Sequence, residues 1–192
     1  STSSAASDVY KRQVLIMIAT AIPAGFAAGL FGIGGGLVTV PILFYIFSFS
    51  GIETAYIMHL AVGTSFGIII PTSTVSVLTH HQHKAVDFSI VKGFGFFVAT
   101  GVILGTIFAA SLETKPLILF FTIIVYVLAF YLLFLKEKET NIEIKIGLFS
   151  KAISGIVSGF ISAPMGIGGA VMNVPILKFF GYPINKAIGS AA

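Results

Sequence analysis

The chain has 192 residues, of which 56% are hydrophobic and 9% charged, with a mean hydropathy of +1.03 and a formal net charge of +4. Against about 25% charged residues in ordinary soluble domains, that balance excludes a water-soluble globular protein and assigns the chain to a lipid bilayer. The lack of cysteine excludes disulfides, thiolate metal sites and iron–sulfur ligation, and the few scattered basic residues form no patch that would suit nucleic acid.

Within the polar N-terminal segment 1–13, the start from Ser1 to Asp8 carries no basic region before a short apolar core, and the run at 14–31 lacks a cleavage pattern, so that run reads as a first span. Next comes the block Gly32-Ile33-Gly34-Gly35-Gly36-Leu37-Val38-Thr39-Val40-Pro41-Ile42-Leu43. Further apolar runs follow at 55–79, 88–110 and 116–135, each about the 20 residues that a spanning helix needs. A charged linker, 136–145, precedes a fifth run near 146–161. The block then recurs as Gly166-Ile167-Gly168-Gly169-Ala170-Val171-Met172-Asn173-Val174-Pro175-Ile176-Leu177, identical at eight of twelve positions at an offset of 134. The runs are continuous rather than alternating, which argues for helices and against a membrane β-barrel. The expected fold is all-α, a polytopic transmembrane bundle with a first repeat at 14–135, a linker at 136–145, and the start of a second repeat at 146–192 that stops mid-helix and leaves the sequence reading as a fragment.

Basic loops bear on orientation. Lys84 and Lys92 share a side with Lys136, Lys138, Lys145 and Lys151, two crossings later. Whether residues 14–47 cross once or return as a hairpin stays open, because all eleven basic residues divide eight to three in either case.

Four glycines in five residues each disfavour helix by about 1 kcal/mol relative to alanine, and Pro41 disfavours helical geometry at Val40. The expectation is irregular backbone from Gly32 to Val40, then a short helix over 41–47 with Pro41 in its first turn. The second copy repeats this arrangement at Pro175. Irregular backbone at membrane depth survives only where it is buried in protein or lines a cavity, and two such segments in matching positions point to a transport site. Glycine amides and a helix start favour a small anion, with Thr39 and Asn173 as matched polar contacts. Close helix packing is the competing reading of the same glycines.

A second matched pair is Ala61-Val62-Gly63-Thr64-Ser65 with Ala187-Ile188-Gly189-Ser190-Ala191, at an offset of 126. The hydroxyls either face a cavity or bond back to their own helix. His59, one turn before Gly63, is a candidate proton carrier or an interfacial histidine. His80, His81 and His83 read as a polar loop rather than a metal site. No paired carboxylates, nucleophile triad or metal set is present, so neither an enzyme nor a cofactor is expected.

The first glycine block with Val40-Pro41, the segment His59-Leu60-Ala61-Val62-Gly63-Thr64-Ser65 and the loop at 80–87 together resemble the sulfite exporter TauE/SafE family of bacterial membrane permeases. The resemblance covers essentially the whole chain from residue 14. It implies an internally duplicated, multi-pass protein of the bacterial inner membrane that moves sulfite, sulfonates or related sulfur-containing anions. On the match, Gly34, Gly35, Pro41, Thr64 and Ser65 carry over from the first repeat, and Gly168, Gly169, Pro175 and Ser190 from the second. Gly32, Gly36, Thr39, Gly166 and Asn173 join them as candidate substrate contacts from the backbone argument. The alternative is a non-transporting assembly or sensory protein whose glycines serve packing.

Overall fold

The computed structural model describes residues 11–12, 14–16, 18–19, 21–23, 25–26, 35–134 and 147–191. The described residues between 11 and 26 are helical and mostly exposed. Seven helices follow among the described residues: α1 Gly36–Phe49, α2 Ile57–Gln82, α3 Phe88–Ser111, α4 Thr114–Phe134, α5 Leu148–Met165, α6 Ala170–Phe179 and α7 Ile184–Ala191. Of these, α2, α3, α4 and α5 are long and apolar enough to cross a membrane. They fall on the apolar runs of the sequence, and their outward residues, such as Phe96, Ile103, Tyr126 and Leu133, are large, apolar and exposed as lipid contact requires.

The most extensive helix pair is α3 against α5. Gly101 and Gly105 of α3 lie against the backbones of Ile156 and Phe160, while Gly155 and Gly159 of α5 lie against Phe97 and Val98. Residue numbers rise together on the two helices, so they run side by side in the same direction. A Cβ on Gly159 would sit 2.1 Å from the Val98 carbonyl oxygen, and one on Gly101 would sit 2.2 Å from that of Ile156. Bilayer lipid is as apolar as leucine, so helices associate in it through close backbone approach across small residues spaced by four. The sequence places such pairs at 101/105 and 155/159.

Beyond α5 the chain turns sharply. Gly166 closes the helix in the left-handed conformation (φ 61°, ψ 28°), with its amide on the Ala163 carbonyl and the Ile167 amide on that of Ser162. Glycine takes this conformation without the strain a side chain would bring. From there α6 runs back along α5: Ser158 meets Asn173, and Lys151 shares a small pocket with Phe180 and Tyr182. The second copy of the block therefore forms a hairpin.

The two short helices correct one expectation. α1 starts at Gly36 and α6 at Ala170, so Pro41 and Pro175 lie inside their helices, each in the sixth position. The first turn closes before the proline is reached. The Gly35 carbonyl accepts the amides of Val38 and Thr39 as well as the Thr39 hydroxyl, and the Gly169 carbonyl accepts the amide of Asn173 at 2.8 Å. Each proline then removes one later helix bond, which a short, enclosed helix tolerates.

At the loop before α3, Asp87 caps the helix by accepting the Ser89 amide at 3.0 Å. Its own amide bonds the Ser190 hydroxyl of α7, and Gly189 lies against Ala85. This cap therefore joins α7 to the loop before α3.

Candidate functional site

The turn between α5 and α6 lies in the longest unbroken run of buried residues among those described, 162–167. Met165 and Ile167 are fully buried, in one cluster with Val40, Ala61, Val62 and Leu117. The turn is held from two sides. Gly36 packs on it so closely that a Cβ there would lie 2.1 Å from the Gly166 carbonyl oxygen, and Ser65 of α2 donates its hydroxyl to that same oxygen at 2.7 Å. Gly166 itself lies against Val40 and Val62. Gly36 of the first glycine block and Ser65 of α2 thus meet the second glycine block at one point.

Five polar side chains are buried among the described residues, and four of them, Ser65, Ser158, Ser162 and Asn173, belong to this region; Thr114 is the fifth. Ser158 and Ser162 stand one turn apart on α5 and share a face. The Ser158 hydroxyl donates to Asn173 Oδ1 at 2.5 Å. The Ser162 hydroxyl is 4% exposed and finds no partner among the described residues. A buried polar group left this way costs about 1–3 kcal/mol, so its retention in a spanning helix calls for a ligand or water at that point. Near it, the first-turn amides of α6 have no partner within their own helix, and the helix dipole makes that end positive.

Asn173 also reaches a cavity of about 220 Å³ between α3, α6 and α7. Its walls are apolar, from Ile90, Phe94, Val98 and Leu177, and its polar lining residues are Asn173 and Ser190. Ser158 thereby connects, through Asn173, to a space large enough for a small ligand.

The other candidates of the sequence are placed as follows. Gly32 and Gly34 lie outside the described residues. Gly35 and Thr39 bond to each other, the hydroxyl of Thr39 donating to the Gly35 carbonyl at 2.6 Å. Thr64 is exposed while Ser65 is buried, so of this pair it is Ser65 that reaches the turn. Gly168 has open space beside it, with only Ile69 Cγ2 at 4.0 Å from a built Cβ. Gly169 lies under the Asn173 amide, 2.6 Å from the place of a Cβ. Pro41 and Pro175 are half-buried inside their helices. His59 donates Nε2–H to the Ala109 carbonyl at 3.2 Å, which leaves Nδ1 as an acceptor, buried and unpartnered among the described residues. No group of three or more metal-ligating side chains occurs among the described residues.

Ser158 and Ser162 were not singled out by the sequence reading. Their signal is a hydroxyl every fourth residue, Ser150, Ser154, Ser158 and Ser162, along one helix.

A helical bundle with four membrane-length apolar spans among the described residues defines a multi-pass membrane protein. The family model described as Sulfite exporter TauE/SafE matches residues 17–192, and the chain belongs to that family. A probable membrane transporter protein of Haemophilus influenzae is 33% identical over 179 residues, covering 93% of this chain and 68% of the relative. One from Methanocaldococcus jannaschii is 29% identical, covering 92% of this chain and 67% of the relative, and one from Bacillus subtilis is 25% identical over 92% and 72%. No solved structure matches the chain.

Proposed function

We propose that the protein is a permease for small sulfur-containing oxyanions, sulfite or sulfonates, in the inner membrane of a bacterium. The observation that carries this reading is the concentration of buried polar side chains at the Gly166 turn, where the two glycine blocks touch. An anion there would meet the free amides of α6, the Ser162 hydroxyl and the Asn173 amide. Gly168 keeps the backbone open to it, Gly169 leaves room for the Asn173 amide, Gly36 and Ser65 hold the first glycine block and α2 against the turn, and Gly35 with Thr39 closes the first turn of α1. Pro41 and Pro175 fix the two short helices, and Ser190 ties α7 to the loop before α3. Access would alternate as the repeats rock about this contact. No covalent step is involved.

The test is radiolabelled sulfite flux in liposomes reconstituted with the full-length protein. Flux above that of empty liposomes is expected; no flux for any sulfur oxyanion would refute the substrate class.

A further inference from the structure

Among the described residues, the buried polar region contains no lysine or arginine. We propose that it admits singly charged anions and rejects doubly charged ones, an inference that rests on the transport reading above and specifies its ligand. Every donor it presents is neutral: the hydroxyl of Ser162, the amide of Asn173 and the backbone amides at the start of α6. The described lysines and arginine, Lys11, Arg12, Lys84, Lys92, Lys115, Lys151, Lys178 and Lys186, all stand near helix ends or in loops, and none is among the buried side chains. A helix start supplies the equivalent of about half a positive charge. That suits one negative charge, whereas the desolvation cost of an ion grows with the square of its charge, so a dianion would lose about four times as much. One helix start with a single hydroxyl and a single side-chain amide offsets the first cost and falls short of the second. The unpartnered Ser162 hydroxyl, buried within one turn of the Ser158–Asn173 bond, is the donor left for such a ligand.

Sulfite changes between singly and doubly charged forms near neutral pH, methanesulfonate is singly charged throughout, and sulfate is doubly charged throughout. In liposomes carrying the full-length protein, methanesulfonate flux is expected to be independent of pH, and sulfate flux should equal that of empty liposomes. Sulfite flux should fall about tenfold per pH unit once the dianion dominates. A flat methanesulfonate profile separates any effect of the protein's own histidines, His59, His80, His81 and His83, from that of the ligand. Sulfate moving as fast as methanesulfonate, or sulfite flux unchanged with pH, would overturn the inference while leaving transport intact. No flux of either sulfite or methanesulfonate would overturn the transport reading itself. Ser162→Ala removes an orphaned hydroxyl and so should fold at least as well as the parent; it should weaken methanesulfonate binding about tenfold, with Ser162→Thr restoring it. Unchanged affinity in Ser162→Ala would remove Ser162 from the site.

Discussion

Two glycine-rich regions of this protein use the same residue for different ends. In the seam between α3 and α5, Gly101, Gly105, Gly155 and Gly159 each lie against a neighbouring backbone or Cβ, so that a methyl group has nowhere to go. At the α5–α6 turn, Gly166 is needed for its left-handed backbone, while Gly168 has room beside it. Gly36 stands between the two kinds: it belongs to the repeated block, yet its packing on the Gly166 carbonyl is as close as any contact in the seam. Packing and the proposed binding are therefore not rival accounts of the whole block. They divide it residue by residue, and substitutions can test the division.

The largest effect is expected in the seam. Gly159→Ala would force a methyl to 2.1 Å from the Val98 carbonyl, and because backbone is on the other side, the helices must separate; a loss of about 3 kcal/mol or more is expected, read as a lowered Tm in detergent. Gly36→Ala meets the Gly166 carbonyl at the same distance and should cost a similar amount, which would place Gly36 with the packing glycines. If Gly36→Ala melts as the parent does, the proposed division fails at that residue. Ser65→Ala should cost about 1–3 kcal/mol, since it leaves the buried Gly166 carbonyl without its hydroxyl. Asp87→Ala should cost about 1 kcal/mol by removing the cap of α3, measured the same way. The Asp87 carboxyl is held below its ordinary pKa first by the Ser89 amide and then by Lys186. Because its folded pKa is the lower one, its contribution is present above the unfolded value and is lost as pH falls through the folded one. The parent should thus lose a little stability on acidification that Asp87→Asn does not.

Much of the fold was legible because lipid allows few ways to satisfy a backbone: the apolar runs at 55–79, 88–110 and 116–135 lie on α2, α3 and α4 almost end to end. The start of the short helices was not legible. Propensity places it at Pro41, but the Gly35 carbonyl, taking two amides and the Thr39 hydroxyl, closes a turn earlier, and no propensity scale contains that bond. For the candidate site, the duplication pointed to the turn, to Asn173 and to Ser65. Which hydroxyls turn inward depends on helix rotation, which is why Thr64 and Ser65 could not be separated and why Ser158 and Ser162 went unnoticed. The seam glycines at 101, 105 and 155 were readable as small residues spaced by four, and were outweighed by the more conspicuous blocks.

Gly168→Ala offers the most direct measurement of the central claim, that the open space at the turn is where the anion sits. Its methyl would enter that space and touch nothing closer than Ile69 at 4.0 Å, so folding should change by less than about 0.5 kcal/mol. The prediction is a variant with parental Tm and sulfite flux reduced to a small fraction of the parent's in reconstituted liposomes. Parental flux in a parental fold would contradict the account.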